Sequence, residues 1–183
     1  MKVLIMNCSP VRNGATAEIV HQIKNNAPDN YTIKDICIDD YTIQYCRGCK
    51  TCYKTAKCII NDGVTDILTE FSEAETIILV APSYWADVPG QFKSFIDRCT
   101  PFCNTHEPHA SIGTGKRGVS IVLRTGSNVS ECNRLISSIE HFFGHMEIDA
   151  IGNLSLCETM NKEDVIHKSS LITSMCKKTI FTD

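Results

Sequence analysis

The chain has 183 residues, 43% of them hydrophobic and 21% charged, with a formal net charge of -3. That length fits one domain with a real core, and the composition excludes a disordered chain. The charge supplies no basic field for nucleic acid or an anionic membrane, no apolar run reaches transmembrane length, and the short run at 3–6 is no signal-peptide core, so a cytoplasmic protein is expected.

Residues 2–8 form a short apolar run ending in a polar loop, the pattern of a buried strand. Ala15, Ile19, Val20, Ile23 and Ala27 then recur at helical spacing. A weaker strand is expected over 31–38, followed by a cysteine-rich loop at about 45–61. Val64, Ile67, Leu68 and Phe71 mark one face of a short helix over 62–72. The continuous apolar run 76–81 predicts a strand covered on both faces. Pro89, then Phe92, Phe95, Ile96 and Cys99, predict the next helix. Another buried strand is expected at 119–123. Leu135, Ile139, Phe142 and Phe143 mark a helix that Gly144 is expected to stop. A strand near 146–151 and a helix from about 162 to 177 complete the chain.

Such strict alternation implies a parallel sheet with helices on both faces, and five strands fit the doubly wound order 2-1-3-4-5. With no internal repeat and no linker, residues 1–183 read as one domain. Ligands in such sheets sit outside the carboxyl ends of the strands, which directs attention to the loops after strands 1, 3 and 4.

The first of these loops is Asn7-Cys8-Ser9-Pro10-Val11-Arg12-Asn13-Gly14-Ala15-Thr16. Its small polar residues let backbone N–H groups converge, and it runs into a helix N-terminus that favours an anion. Ser9, Asn13 and Thr16 offer side-chain hydrogen bonds and Arg12 offers charge. The competing reading is a simple capped helix start. Gly14-Ala15-Thr16 lacks the lysine of a Walker loop, and one glycine does not make a dinucleotide fingerprint. Gly113-x-Gly115-x-x-Gly118 precedes a strand instead of following one and reads as a mobile loop. Cys8 lacks the arginine six positions on that a phosphatase nucleophile needs.

Eleven cysteines are many for a cytoplasmic chain, and their odd number argues for metal or redox use over a disulfide framework. Cys46, Cys49, Cys52 and Cys58 are spaced C-x2-C-x2-C-x5-C. The first three resemble the run that ferredoxins wrap around a [4Fe–4S] cluster, although the fourth is local and no proline follows it. Gly48 allows a tight turn, and Arg47, Lys50, Lys54 and Lys57 offset thiolate charge. A four-cysteine zinc site usually uses two separated pairs and fits less well; a metal-free thiol loop is the other alternative. The remaining seven cysteines read as small buried hydrophobes. His106, His109, His141 and His145 read as solvated or capping residues.

Four stretches together resemble the NAD(P)H-dependent FMN reductase and iron-sulfur flavoprotein branch of the flavodoxin-like superfamily. They are Ser9-Pro10 through Gly14-x-Thr16, the cysteine motif with Asp62, Ala81-Pro82-Ser83-Tyr84-Trp85, and Phe95-Ile96-Asp97-Arg98. Cys8 and Val11 depart from the usual glycine and arginine of that family. The resemblance implies a flavodoxin-like fold and FMN. The FMN phosphate is then expected on Ser9, Arg12, Asn13, Gly14, Ala15 and Thr16, and its ring against Pro82, Ser83, Tyr84 and Trp85. Thr125 and Gly126, after Arg124, would close the other side. Tyr84 and Trp85 do offer aromatic surface for a flat ring, with a core or interface role for Trp85 as the alternative.

The implied function is an FMN-dependent oxidoreductase or electron-transfer flavoprotein that relays electrons between FMN and a [4Fe–4S] cluster on Cys46, Cys49, Cys52 and Cys58. The flavin carries the chemistry, so no side chain is expected to be catalytic. Implied partners are NAD(P)H or a ferredoxin-like donor, a small-molecule or protein acceptor, and further copies of the chain as a homodimer or homotetramer. The alternatives are an NAD(P)H-dependent FMN or quinone reductase without a cluster, and a non-catalytic metal-loop interaction module.

Overall fold

The computed structural model describes residues 1–182; Asp183, the last residue of the expected domain, lies outside the described residues. The elements run β1 (Lys2–Asn7), α1 (Ala15–Asn25), β2 (Thr32–Cys37), α2 (Cys52–Thr55), α3 (Val64–Glu73), β3 (Thr76–Pro82), α4 (Gly90–Arg98), β4 (Lys116–Leu123), α5 (Val129–His145), β5 (Ile148–Leu156), α6 (Lys162–His167) and α7 (Ser169–Met175). The five strands form one sheet in the order β2-β1-β3-β4-β5. Every neighbouring pair is parallel. This is the flavodoxin-like order expected from the alternating pattern.

Side chains of a strand alternate between faces, so the central strands feed two cores. Leu4, Met6, Ile77 and Leu79 pack with Phe71, Phe92, Phe95 and Phe143 from α3, α4 and α5. Val3, Ile5, Ile78 and Val80 pack with Ile19 and Ile23 of α1, Val165 of α6 and Ile172 of α7. Burial on both faces explains why β1 and β3 read as unbroken apolar runs. Among the described residues no helix is long and apolar enough to cross a membrane.

Four local expectations need correction. Helix α5 runs through Gly144 to His145, and the chain reverses at Glu147, which takes the left-handed φ of 58°. Strand β5 extends to Leu156, well past residue 151, because its Gly152, Asn153 and Ser155 lie on a partly solvated edge and hide the strand pattern. The last helix is split, with Lys168 separating α6 from α7 and a wider turn over Cys176–Ile180. Gly118 belongs to β4 and not to a loop; a Cβ there would stand 2.8 Å from the Phe143 ring, so glycine lets α5 lie close on the sheet.

Candidate functional site

Parallel strands deliver all their carboxyl ends to one edge, and the loops after β1, β3, β4 and β5 meet there. The first loop is folded by its own short polar side chains. The Ser9 N–H donates to Asn7 Oδ1 at 3.0 Å, and the Val11 N–H donates to Ser9 Oγ at 3.0 Å. Gly14 caps α1 with no side-chain hydrogen bond to the first turn, which leaves the opening amides of the helix unpaired. Thr16 lies in that turn, 2% exposed, and its Oγ1 is buried without a hydrogen-bond partner. Free amides, an unpaired hydroxyl and the positive end of a helix are the kind of donors that suit an anion.

These groups face a cavity of about 170 Å³. Ser9, Gly14, Ala15 and Thr16 contribute one wall, and Pro82, Ser83 and Tyr84 from the loop after β3 another. Thr125, together with Arg124, closes the side after β4. Thr159 and Met160, from the loop after β5, also line it and were missed by the sequence reading. The rule that every parallel strand ends on the same edge would have included them.

Arg12, Asn13, Trp85 and Gly126 are not among the residues lining this cavity. Arg12 donates to Asp39 Oδ2 at 2.9 Å, to the Asp39 carbonyl at 2.8 Å and to the Asp40 carboxylate, so its charge is engaged on the outer side of the loop. Asn13 Oδ1 accepts from Lys162 Nζ, which ties the loop to the start of α6. Gly126 accepts from the Glu158 N–H at 3.0 Å, joining the loops after β4 and β5. Trp85 is fully exposed at a left-handed φ of 55°, in a turn closed by mutual backbone bonds between Tyr84 and Asp87. It borders an adjoining hollow of about 370 Å³ shared with Ser83, Arg124, Thr125 and Glu131.

Arg124 stands where the two hollows meet. Its Nη1 donates to the Asn128 carbonyl at 2.8 Å and pairs with Glu131 at 2.9 Å, while its buried Nε has no partner. Cys8, by contrast, is fully buried, and burial pushes its thiol well above the ordinary value. The same burial that makes Cys8 core disfavours its thiolate, the form a nucleophile needs.

The cysteine loop is built differently. Gly48, Lys50 and Ala56 all take left-handed φ values, of 64°, 58° and 51°, and only the four-residue α2 is regular. Cys46, Cys49, Cys52 and Cys58 nevertheless line one small hollow of about 30 Å³ with Arg47, Lys50 and Arg98. The Gly48 N–H donates to Cys46 Sγ at 3.5 Å, and Arg98 Nε donates to Cys58 Sγ at 3.3 Å. The Thr51 backbone and then its hydroxyl lower the Cys49 pKa, whereas burial raises that of Cys52. The donor set and the surrounding cations suit a thiolate-ligated cluster. Among the described residues, however, no three Cys, His, Asp or Glu side chains converge as a metal-holding group.

Arg98 is the anchor of this loop, a role the sequence reading did not assign. Its side chain is 1% exposed and pairs with Asp62, itself 4% exposed, at 2.7 Å. It also donates to the Gln44 carbonyl at 2.9 Å and the Ile60 carbonyl at 2.9 Å. Burial alone would push the Asp62 carboxyl up, but hydrogen bonds from Arg98, Gln44 and Val64 outweigh it and hold the pKa below the ordinary value.

A model of the NADPH-dependent FMN reductase family matches residues 1–146. The chain belongs to that family, a family of flavin-dependent oxidoreductases. An iron-sulfur flavoprotein of Archaeoglobus fulgidus is 30% identical over 127 residues, which are 69% of this chain and 56% of that protein. Another from Clostridioides difficile is 35% identical over 103 residues, 54% of this chain and 45% of that protein. The chain thus spans about half the length of the curated relatives it matches. Among solved structures, an NAD(P)H:quinone oxidoreductase from Methanothermobacter marburgensis superposes with a TM-score of 0.74 at 10% identity, covering 97% of this chain and 96% of that one. An FMN-dependent NADH-azoreductase from Bacillus anthracis in complex with FMN gives 0.67 at 14% identity, covering 97% and 99%. At such identities these two establish the flavodoxin-like fold alone.

Proposed function

We propose that this FMN reductase family member holds FMN in the cavity at the carboxyl ends of β1, β3, β4 and β5 and works as a flavin-dependent oxidoreductase. The observation that carries the reading is the buried, unpartnered Thr16 hydroxyl beside the uncapped first turn of α1. These donors suit the phosphate, with Ser9, Gly14 and Ala15 around it. Asn13, tied to Lys162, and Arg12, engaged by Asp39 and Asp40, hold the loop in place from its outer side. Pro82, Ser83, Tyr84 and Trp85 flank the ring on one side, and Thr125 and Gly126 on the other. Arg124 Nε, buried and unpaired, offers a further donor where the two hollows meet. When bound, FMN supplies two-electron chemistry and an iron-sulfur cluster single-electron chemistry.

The finer reading is that Cys46, Cys49, Cys52 and Cys58 hold a [4Fe–4S] cluster, so that electrons from NAD(P)H or a ferredoxin-like donor pass between flavin and cluster to a small-molecule or protein acceptor. Two observations support it: the four thiols line one hollow with cationic neighbours, and curated relatives carry the name iron-sulfur flavoprotein. Assembly as a homodimer or homotetramer would bring the cysteine loop of one copy near the flavin of another, and residence in the cytoplasm suits such a cluster.

The test is Cys49→Ser, prepared without oxygen beside the parent protein. With FMN retained, loss of iron and of electron transfer supports the relay. Unchanged electron transfer rules the cluster out of the path and leaves a simple NAD(P)H-dependent flavin or quinone reductase.

A further inference from the structure

Outside the four-cysteine loop, two more thiols touch. Cys132 lies near the start of α5 and is completely buried, while Cys157 directly follows β5 and is half-buried. Their Sγ atoms are 3.8 Å apart. Burial, followed by the hydrogen bond and charge of Cys157, pushes the Cys132 thiol up to about 11. Cys132 therefore keeps its proton at neutral pH, and Cys157 is the thiol that solvent reaches.

The pair stands behind the wall of the cofactor cavity. The Arg124 N–H donates to the Leu156 carbonyl at 3.1 Å, and the Thr159 N–H donates back to the Arg124 carbonyl at 2.9 Å. Cys157 sits inside this lacing, between the two residues that form it. Arg124 and Thr159 both line the cavity.

We propose that Cys132 and Cys157 form a dithiol–disulfide site, oxidised by low-molecular-weight disulfides, that braces the loop after β5 against α5 at the edge of the cofactor cavity. Bond formation needs the sulfurs to close from 3.8 Å to the ~2.05 Å of a disulfide. The Cys157 thiolate attacks one sulfur of the small disulfide, whose S–S bond breaks and releases the first small thiolate. Cys132 then gives up its proton and attacks the Cys157 sulfur, expelling the second. The protein thiols lose two electrons and two protons, and the small disulfide gains them and leaves as two thiols.

A tryptic map after treatment with oxidised glutathione tests this directly. The reduced 183-residue chain is treated under native conditions, then denatured with its remaining free thiols alkylated, and digested. Residues 125–134 contain Cys132 as their one cysteine, and residues 135–162 contain Cys157 as theirs. The expected product is these two peptides joined, with the summed mass less two hydrogens, abolished by dithiothreitol. In Cys132→Ala the same treatment should instead leave a glutathione adduct trapped on Cys157. Absence of the joined peptide from parent protein whose exposed loop cysteines have reacted would overturn the proposal. So would a spread of pairings no more selective than that formed in urea.

Discussion

The cavity after β1 and the loop from Cys46 to Cys58 both gather polar donors, yet they are held by opposite means. The cavity rests on the sheet. Its walls begin where buried parallel strands end, and the Cys8 N–H still bonds the Val80 carbonyl at 2.9 Å, so backbone geometry fixes where Ser9, Thr16 and Ser83 stand. The cysteine loop rests on a side chain. It has three left-handed positions, one helical turn and mostly exposed thiols, and Arg98 reaches out from α4 to hold it. A site written into strand register should keep its backbone geometry when one side chain is lost; a site hung on one buried arginine should not.

The sharpest way to break that contrast is Arg98→Ala. Removing one partner of a buried ion pair typically costs about 3–5 kcal/mol, because the other charge is left uncompensated. Chemical denaturation should show a loss of that order. Limited proteolysis should meanwhile cut between residues 44 and 62 well before the rest of the chain. Cleavage spread evenly over the chain would mean that Arg98 supports the core in general and not this loop.

Thr16→Val is the complementary probe of the sheet-built site. Hydrogen bonds to charged groups contribute about 1.5–3 kcal/mol, so FMN binding should weaken by about ten- to a hundred-fold in a fluorescence titration. The apoprotein should lose nothing in a thermal melt, since the hydroxyl has no partner there. A drop in apoprotein stability with FMN affinity intact would place the hydroxyl in the scaffold instead.

Acid should loosen the arginine-held region selectively. The Asp62 carboxyl titrates below its ordinary 3.8, so its contribution is present above the unfolded value and is lost as pH falls through the lower folded one. Stability followed from pH 5 downwards should therefore decline less steeply in Asp62→Asn than in the parent. Parallel curves would remove Asp62 from the account. The smallest effect is expected at Trp85. As a fully exposed residue, its replacement by alanine should change stability by no more than about 0.5 kcal/mol. The same change should weaken FMN binding several-fold if the indole lies on the ring.

What was legible in the sequence follows the same division. Strand order and the polar loop that opens α1 could be read because unbroken apolar runs such as 76–81 and the small residues from Ser9 to Thr16 carry local signals. Thr159 and Met160 were harder to place, since the general rule points to the loop after β5 but the solvated residues of that edge strand hide where it ends. Arg98 stands in the run Phe95-Ile96-Asp97-Arg98, where nothing local shows what it holds. Its partners Gln44, Cys58, Ile60 and Asp62 lie 36 or more positions away, and only the fold brings them together. Arg12 looked like the phosphate's cation from its position in the loop; Asp39 and Asp40, brought alongside by β2, engage it instead.

The most direct measurement is the absorption spectrum of protein purified without oxygen, with flavin and iron counted per chain. The account predicts one FMN per chain, its bands riding on a broad shoulder from about four irons. Flavin bands without iron would contradict the cluster and leave a flavin reductase with a thiol loop. Protein that carries no flavin, and takes none up when FMN is added, would contradict the central claim.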